Sequence, residues 1–239
     1  MSKQFGAVTA ADNVCVDVPA GAVYSLIGSN GAGKTTFVNM VTGYIKPDAG
    51  TIRFRTATSP GWGRCARSPG RHPSLVPDHG SAGLTMLENM LMAEAVHAEQ
   101  GPSLFRPARS AQNIERAEAS LVQLGIADFR HHKMSELPGG VKKLLDIAMA
   151  MAGQTDIILL DEPTSGVAAD EKFPIMDRVI AALQAKGVTI LFVEHDMEIV
   201  GRYASRVLAF YAGQIIANDA PDAVLANADV QRYVTGGVA

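Results

Sequence analysis

The sequence predicts an α/β fold with a mainly parallel central sheet, and three observations predict it. Short apolar runs that fit fully buried strands, AVYSLIG (22–28), DIILLDEP (156–163) and VTILFVEHD (188–196), alternate with helical patterns. A glycine-rich loop, GSNGAGKTT (28–36), leaves the first of these strands and opens a helix. A further pair of apolar runs, RVLAFYAGQIIAND (206–219), reads as a hairpin turning at Gly213. Strands buried on both faces need helical crossovers between them, which is the pattern of a parallel sheet.

In chain order, NVCVDV (13–18) alternates like a strand and PAG (19–21) turns the chain. The buried strand 22–28, the loop and a helix capped at its C-terminus by Gly43 follow. KPDAG (46–50) turns into a short strand, TIRF (51–54). Residues 55–81 are rich in proline, glycine and arginine and have no periodicity. Helical patterns resume over 84–98 and 111–125, and a third helix begins after LPGG (137–140) and runs over 141–153. The strand at 156–163 and a helix from Asp170 to Lys186, ended by Gly187, complete the crossover to 188–196. The consecutive helices from Leu84 to Leu124 interrupt the alternation and predict a separate helical lobe, 84–153, within one domain spanning 1–239.

Composition narrows the function classes. With 239 residues, 47% of them hydrophobic, the chain can bury a sizeable core. A net charge of −3 gives no reason to expect broad nucleic-acid binding, so no nucleic-acid partner is expected. The two cysteines, Cys15 and Cys65, lack metal-type spacing and fit a reduced compartment. No apolar run approaches the ~20 residues that span a bilayer, so any membrane role is expected through a partner. MSKQFGAV lacks an apolar signal core.

The loop 28–36 carries the first chemistry. Its glycines let backbone N–H groups curl around phosphate oxygens, and the helix start behind them adds a favourable dipole. Gly28, Ser29, Asn30, Gly31, Ala32, Gly33, Lys34, Thr35 and Thr36 are therefore the expected nucleotide-binding residues. Lys34 can reach the β- and γ-phosphates and Thr35 can hold Mg²⁺. Asp161, at the end of a buried strand, can bind the same ion directly or through water, and Glu162 can polarise the attacking water. His195 follows another buried strand. A lone histidine there is more often a satisfied loop residue, but the phosphate loop and the carboxylate pair make it a catalytic candidate.

These pieces, in this order, resemble the ATP-binding cassette family: GSNGAGKTT its Walker A, IILLDEP its Walker B, VEHD its switch histidine, and ELPGGVKKLLDIAMAMA the signature region. The likeness covers nearly the whole chain. Through YSLIGSNGAGKTTFVNMVTGYIKPDAGTI, GLTMLENM and FVEHDMEIV it is similar to the ATPases of branched-chain amino acid importers and their urea and amide relatives. The resemblance implies a P-loop NTPase fold with a small antiparallel β layer, and a two-chain sandwich in which each ATP lies between Walker A of one chain and the signature of the other. Here the signature is Leu137, Pro138, Gly139, Gly140 and Val141. The family usually has serine at the place of Pro138 and a polar residue at that of Val141, so the clamp on the γ-phosphate is expected to be weaker. Phe5 matches the aromatic that stacks on adenine, and Ala168 stands where an aspartate or asparagine is frequent. A further strand is implied ahead of SKQFG (2–6): either the natural start lies upstream of Met1 or the β layer lacks an edge strand.

The family also places a glutamine in a phrase like GIxRSFQ before the helical lobe. No glutamine occurs between Gln4 and Gln100. Back-translation of SLVPDHGSA (74–82), read one base out of register, permits Arg-Ser-Phe-Gln-Ile-Thr-Asp-Leu. Residues 55–81 therefore read as a frame-shifted insert between correct flanks, the alternative being a divergent loop. The leading functional expectation is an ATPase subunit of a membrane importer for branched-chain or related amino acids. It would sit on the cytoplasmic face of the membrane. Its partners would be permease subunits, a second ATPase subunit of the same or a different kind, and indirectly a periplasmic binding protein. The alternatives are an exporter ATPase, for example for a lipid, and a cassette that binds nucleotide but hydrolyses it poorly. A cassette for DNA repair or translation fits less well, since those usually carry a coiled-coil insertion or two cassettes. The lobe at Leu84–Leu124 is expected to face the permease, with Met86 or Asn89 within crosslinking reach.

Overall fold

The structure is a computed structural model that describes residues 1–54, 57–59, 73–75, 80–97, 109–153 and 155–236. In chain order its elements are β1 (Lys3–Phe5), β2 (Val8–Ala11), β3 (Val23–Gly28), α1 (Lys34–Val41), β4 (Ile52–Phe54), β5 (Ala57–Ser59) and β6 (Pro73–Leu75). The helices α2 (Met86–His97), α3 (Ala111–Gln123) and α4 (Gly139–Met151) follow. The chain then runs through β7 (Ile157–Asp161), α5 (Lys172–Ala185), β8 (Thr189–Val193), α6 (Met197–Tyr203), β9 (Arg206–Tyr211), β10 (Gln214–Asp219), α7 (Pro221–Leu225) and α8 (Ala228–Val230). These elements divide into two compact units, Met1–Arg67 with Ile190–Ala239, and Ser68–Thr189.

In the first unit the strand order is β10-β9-β3-β8. β3 is parallel to both neighbours, with Tyr24 opposite Leu191 on one side and Arg206 on the other. β9 and β10 form the antiparallel hairpin expected around Gly213. β3 and β8 are buried at every position, as their unbroken apolar runs require of strands covered on both faces. α1 is pinned to the sheet by Phe37, whose ring meets Phe210 at 5.4 Å. β1 pairs with β2, and β4 with β5, in small antiparallel layers.

NVCVDV does not form the expected strand: residues 13–18 have no ladder. Val14 is buried and exchanges hydrogen bonds with Met1, at 2.9 and 2.7 Å, but the pairing goes no further. A strand needs a partner along its length, which the alternation alone cannot supply.

In the second unit β6 runs parallel to β7, with Ser74 opposite Ile158. Helices α2, α3 and α4 bury Met86, Met90, Leu121, Leu124, Leu144 and Leu145. α5 ends as the sequence predicts, at left-handed Gly187, and α3 ends the same way at Gly125, which the helical pattern over 111–125 had counted inside the helix. Gly125 and Gly187 donate back to Val122 and Gln184, and the following Ile126 and Val188 donate to Leu121 and Leu183. α4 starts two residues earlier than expected: Pro138 takes the N-cap, and Gly139 and Gly140 form its first turn. Proline fits just ahead of a helix, where its missing N–H costs nothing. Most of 55–81, including all of 60–72 and 76–79 where the frame-shift expectation falls, lies outside the described residues.

Candidate functional site

The phosphate-loop residues belong to the first unit. β3 delivers Gly28 at its buried end, and Ser29, Asn30 and Gly31 stand exposed beyond it. Ala32 is buried and its N–H donates to Ser29 O at 3.1 Å, closing the loop. Gly33 is the N-cap of α1, with φ of 106°, and a Cβ there would run into the Ala10 carbonyl oxygen. Both the left-handed backbone and the contact with β2 demand glycine. Lys34 is buried, and its Nζ donates to Gly28 O at 2.6 Å and Ser29 O at 3.0 Å. The ammonium is thus folded back over its own loop, whose N–H groups it accompanies. Thr35, on the first turn of α1, is exposed, and Thr36 is half-buried. No acidic side chain lies in the first turn of α1, and no side chain caps it. Such a helix start, with a lysine and free-facing small residues, attracts an anion with several oxygens.

His195 lies in the same unit, exposed just past β8. Its backbone N–H donates at 3.2 Å to the carboxylate of Glu194, which is buried. Sequence reasoning did not single out Glu194. Its signal was a carboxylate placed directly after the apolar run TILFV, where burial must be compensated. Phe5 ends β1, half its surface exposed, with Lys3 Nζ 5.5 Å from its ring centroid. Its hairpin partner β2 is the strand that touches Gly33 at Ala10.

The second unit holds the carboxylates and the LPGGV segment. β7 is buried over Ile158–Leu160 and ends on exposed Asp161. Glu162 follows with φ of 47°, a left-handed backbone unusual for a residue of its length. A turn locks it there, Ser165 N–H donating to Glu162 O at 3.0 Å, with Thr164 buried behind. Leu137 is buried, Pro138 and Gly139 are exposed, Gly140 is buried and Val141 is half-buried. A Cβ on Gly139 would come within 3.1 Å of Gly166 O, so the start of α4 abuts the turn that follows Glu162. Gly140 has a packing reason of its own: a Cβ there would lie 2.7 Å from Ile175 Cδ1 of α5.

Among the described residues no three His, Cys, Asp or Glu side chains gather into a ready-made metal cage. Mg²⁺ carried by a nucleotide needs none, because phosphates and water complete its shell around one or two protein oxygens. Each unit, taken by itself, presents one exposed oxygen of the right kind, the Thr35 hydroxyl in the first and the Asp161 carboxylate in the second.

Residues 11–165 match the sequence profile of the family described as ABC transporter. The chain belongs to the ABC transporter family. ATP hydrolysis is that family's activity, and its cassettes bind nucleotide. The high-affinity branched-chain amino acid transport ATP-binding protein LivG of Escherichia coli K12 is 34% identical over 99% of this cassette and 95% of its own length. The Nod factor export ATP-binding protein I of Paraburkholderia xenovorans is 33% identical over 95% of this cassette and 71% of its own length. Among solved structures, the ADP conformation of MJ1267, an ATP-binding cassette of an ABC transporter, superposes with a TM-score of 0.82 at 30% identity, covering 97% of this cassette and 94% of that chain. Among the described residues no helix is long and apolar enough to cross a membrane.

Proposed function

We propose that this cassette is the ATP-binding and hydrolysing subunit of a membrane importer for branched-chain or related amino acids. The observation that carries this is the identity with LivG over nearly the whole of both chains, joined to a complete phosphate loop. Gly28–Thr36 would hold the ATP phosphates, Lys34 with its ammonium and Gly31 and Gly33 with their N–H groups. Phe5 would stack on the adenine. Thr35 and Asp161 would hold Mg²⁺, which neutralises the phosphate oxygens as charge builds on them. Glu162 would orient water for in-line attack and the His195 side chain would contact the γ-phosphate, its backbone N–H tethered by the Glu194 carboxylate. The segment Leu137–Val141 would close on the ATP of a second cassette, identical or similar, and the lobe at 84–153 would meet the permease subunits at the cytoplasmic face of the membrane. A periplasmic binding protein would deliver the cargo.

Export is the second reading, favoured by the likeness to the Nod factor export protein. Co-expression with the membrane proteins encoded beside the gene, followed by reconstitution into vesicles, separates the two. Import predicts that labelled leucine accumulates on the side of the membrane that holds the cassettes and ATP. Movement of leucine or lipid away from the ATP side supports export, and no copurification with any membrane protein overturns both.

The segment 55–81 belongs to the same proposal. A frame-shifted stretch would have replaced the glutamine that helps order Mg²⁺ and water, leaving a cassette that binds ATP and hydrolyses it weakly. Sequencing the gene tests this: codons that do not spell the glutamine phrase in another frame overturn it.

A further inference from the structure

One turn supports the phosphate loop from behind. Ala212 and Gly213 join β9 to β10, and both have positive φ, 48° and 80°. This is the two-residue turn whose twist suits a hairpin, but alanine adopts it only under strain. The Gly213 N–H donates to Ala32 O at 2.9 Å, and Gly213 O accepts from the Asp12 N–H at 2.8 Å. Gly213 Cα lies 3.3 Å from where a Gly33 Cβ would stand. A Cβ on Gly213 itself would come within 3.0 Å of Thr9 O and 3.2 Å of the Ala10 carbonyl carbon. Gln214 Nε2 donates to Asp12 Oδ2 at 2.6 Å, tying the turn to the end of β2. On the other strand Tyr211 stacks on Tyr233 of the C-terminal segment, centroids 4.5 Å apart.

A loop can aim its N–H groups at phosphate only if its carbonyls point away, and a buried carbonyl pointing away needs a donor. Ala32 is buried, and Gly213 supplies that donor. We infer that the Ala212–Gly213 turn is a positioning element for the phosphate loop, with Tyr233 holding the turn in place through Tyr211. This role presupposes the assignment of nucleotide to Gly28–Thr36.

The full chain is titrated with Mg-ATP, and Kd, KM and kcat are measured beside the melting midpoint without nucleotide. Gly213→Ala is expected to raise Kd and KM about tenfold, with kcat falling less, because the carbonyl of Ala32 loses its donor geometry. Tyr233→Ala leaves every backbone group in place and is expected to raise KM in the same sense by a smaller factor, with Tyr233→Phe restoring the parent value. If Gly213→Ala does not fold, the tyrosine pair decides. Lowered melting midpoints with unchanged Kd and KM, while Lys34→Ala still weakens binding, overturn the positioning role. Unchanged affinity in Lys34→Ala overturns the nucleotide assignment and the positioning role with it.

Discussion

At the residue scale, the order of the sequence places the candidate residues at the ends of strands and at a helix start, and the structure has them at those positions. Lys34, Asp161, Glu162 and His195 all stand at element ends, where side chains emerge from a buried framework. Less legible was backbone state: nothing in DEPT announces that Glu162 is left-handed, because that follows from the turn closed by Ser165. Glu162→Gln keeps shape and backbone and removes the charge. Its hydrolysis rate is expected to fall by about 10²-fold or more, while ATP binding survives and the ATP-bound dimer accumulates, as read by phosphate release and gel filtration. Parental hydrolysis in this variant would assign water to another residue. Pro138 offers a second residue-level test. It is exposed at the N-cap of α4, where no side chain caps the helix. Pro138→Ser supplies both a cap and a hydroxyl for phosphate, so it should stabilise the chain by ~1 kcal/mol and strengthen ATP-dependent dimerisation. Unfolding by denaturant and analytical ultracentrifugation check the two effects.

At the element scale, helix ends marked by glycine were readable, as Gly43 and Gly187 show, since only a left-handed residue closes those turns. Contacts between elements were not. Met86 and Asn89 looked reachable on an isolated helix, but both are buried: Met86 packs inside the lobe, and Asn89 Nδ2 donates to Ser81, Leu84 and Thr85 carbonyls while its Oδ1 accepts from the Ser81 N–H. The same helix carries Glu94, also buried, and desolvation pushes its carboxyl above the usual range although Arg116 and Lys186 pull the other way. A raised folded pKa means that Glu94 favours the folded state below about 4.5, where it is neutral in both states, and that this support is lost as pH rises through the raised value. Glu94→Gln should therefore melt higher than the parent at neutral pH, the difference shrinking toward pH 4 in calorimetric scans. A variant that melts lower at neutral pH would show that the two cations outweigh burial.

At the scale of the whole molecule, the cassette is expected to act only with other chains. Crosslinkers placed at Glu88 and Met92, both exposed on α2, should capture a permease loop. Capture only from 217–234 would move the docking face elsewhere. Replacing PSLVPDHGS (73–81) by RSFQITDL should raise hydrolysis by about 10²-fold and make it respond to permease, because one well-placed polar group at a phosphoryl-transfer site is worth about that much. Strong permease-stimulated turnover in the unaltered chain would mean that 55–81 is a working loop.

The left-handed backbone at Glu162 has a consequence for any laboratory evolution of this chain. Glycine and asparagine adopt that conformation with less strain than glutamate, by about 1 kcal/mol. Variants surviving a selection for heat resistance should accumulate them at this position, and those survivors would be the ones that no longer turn over ATP.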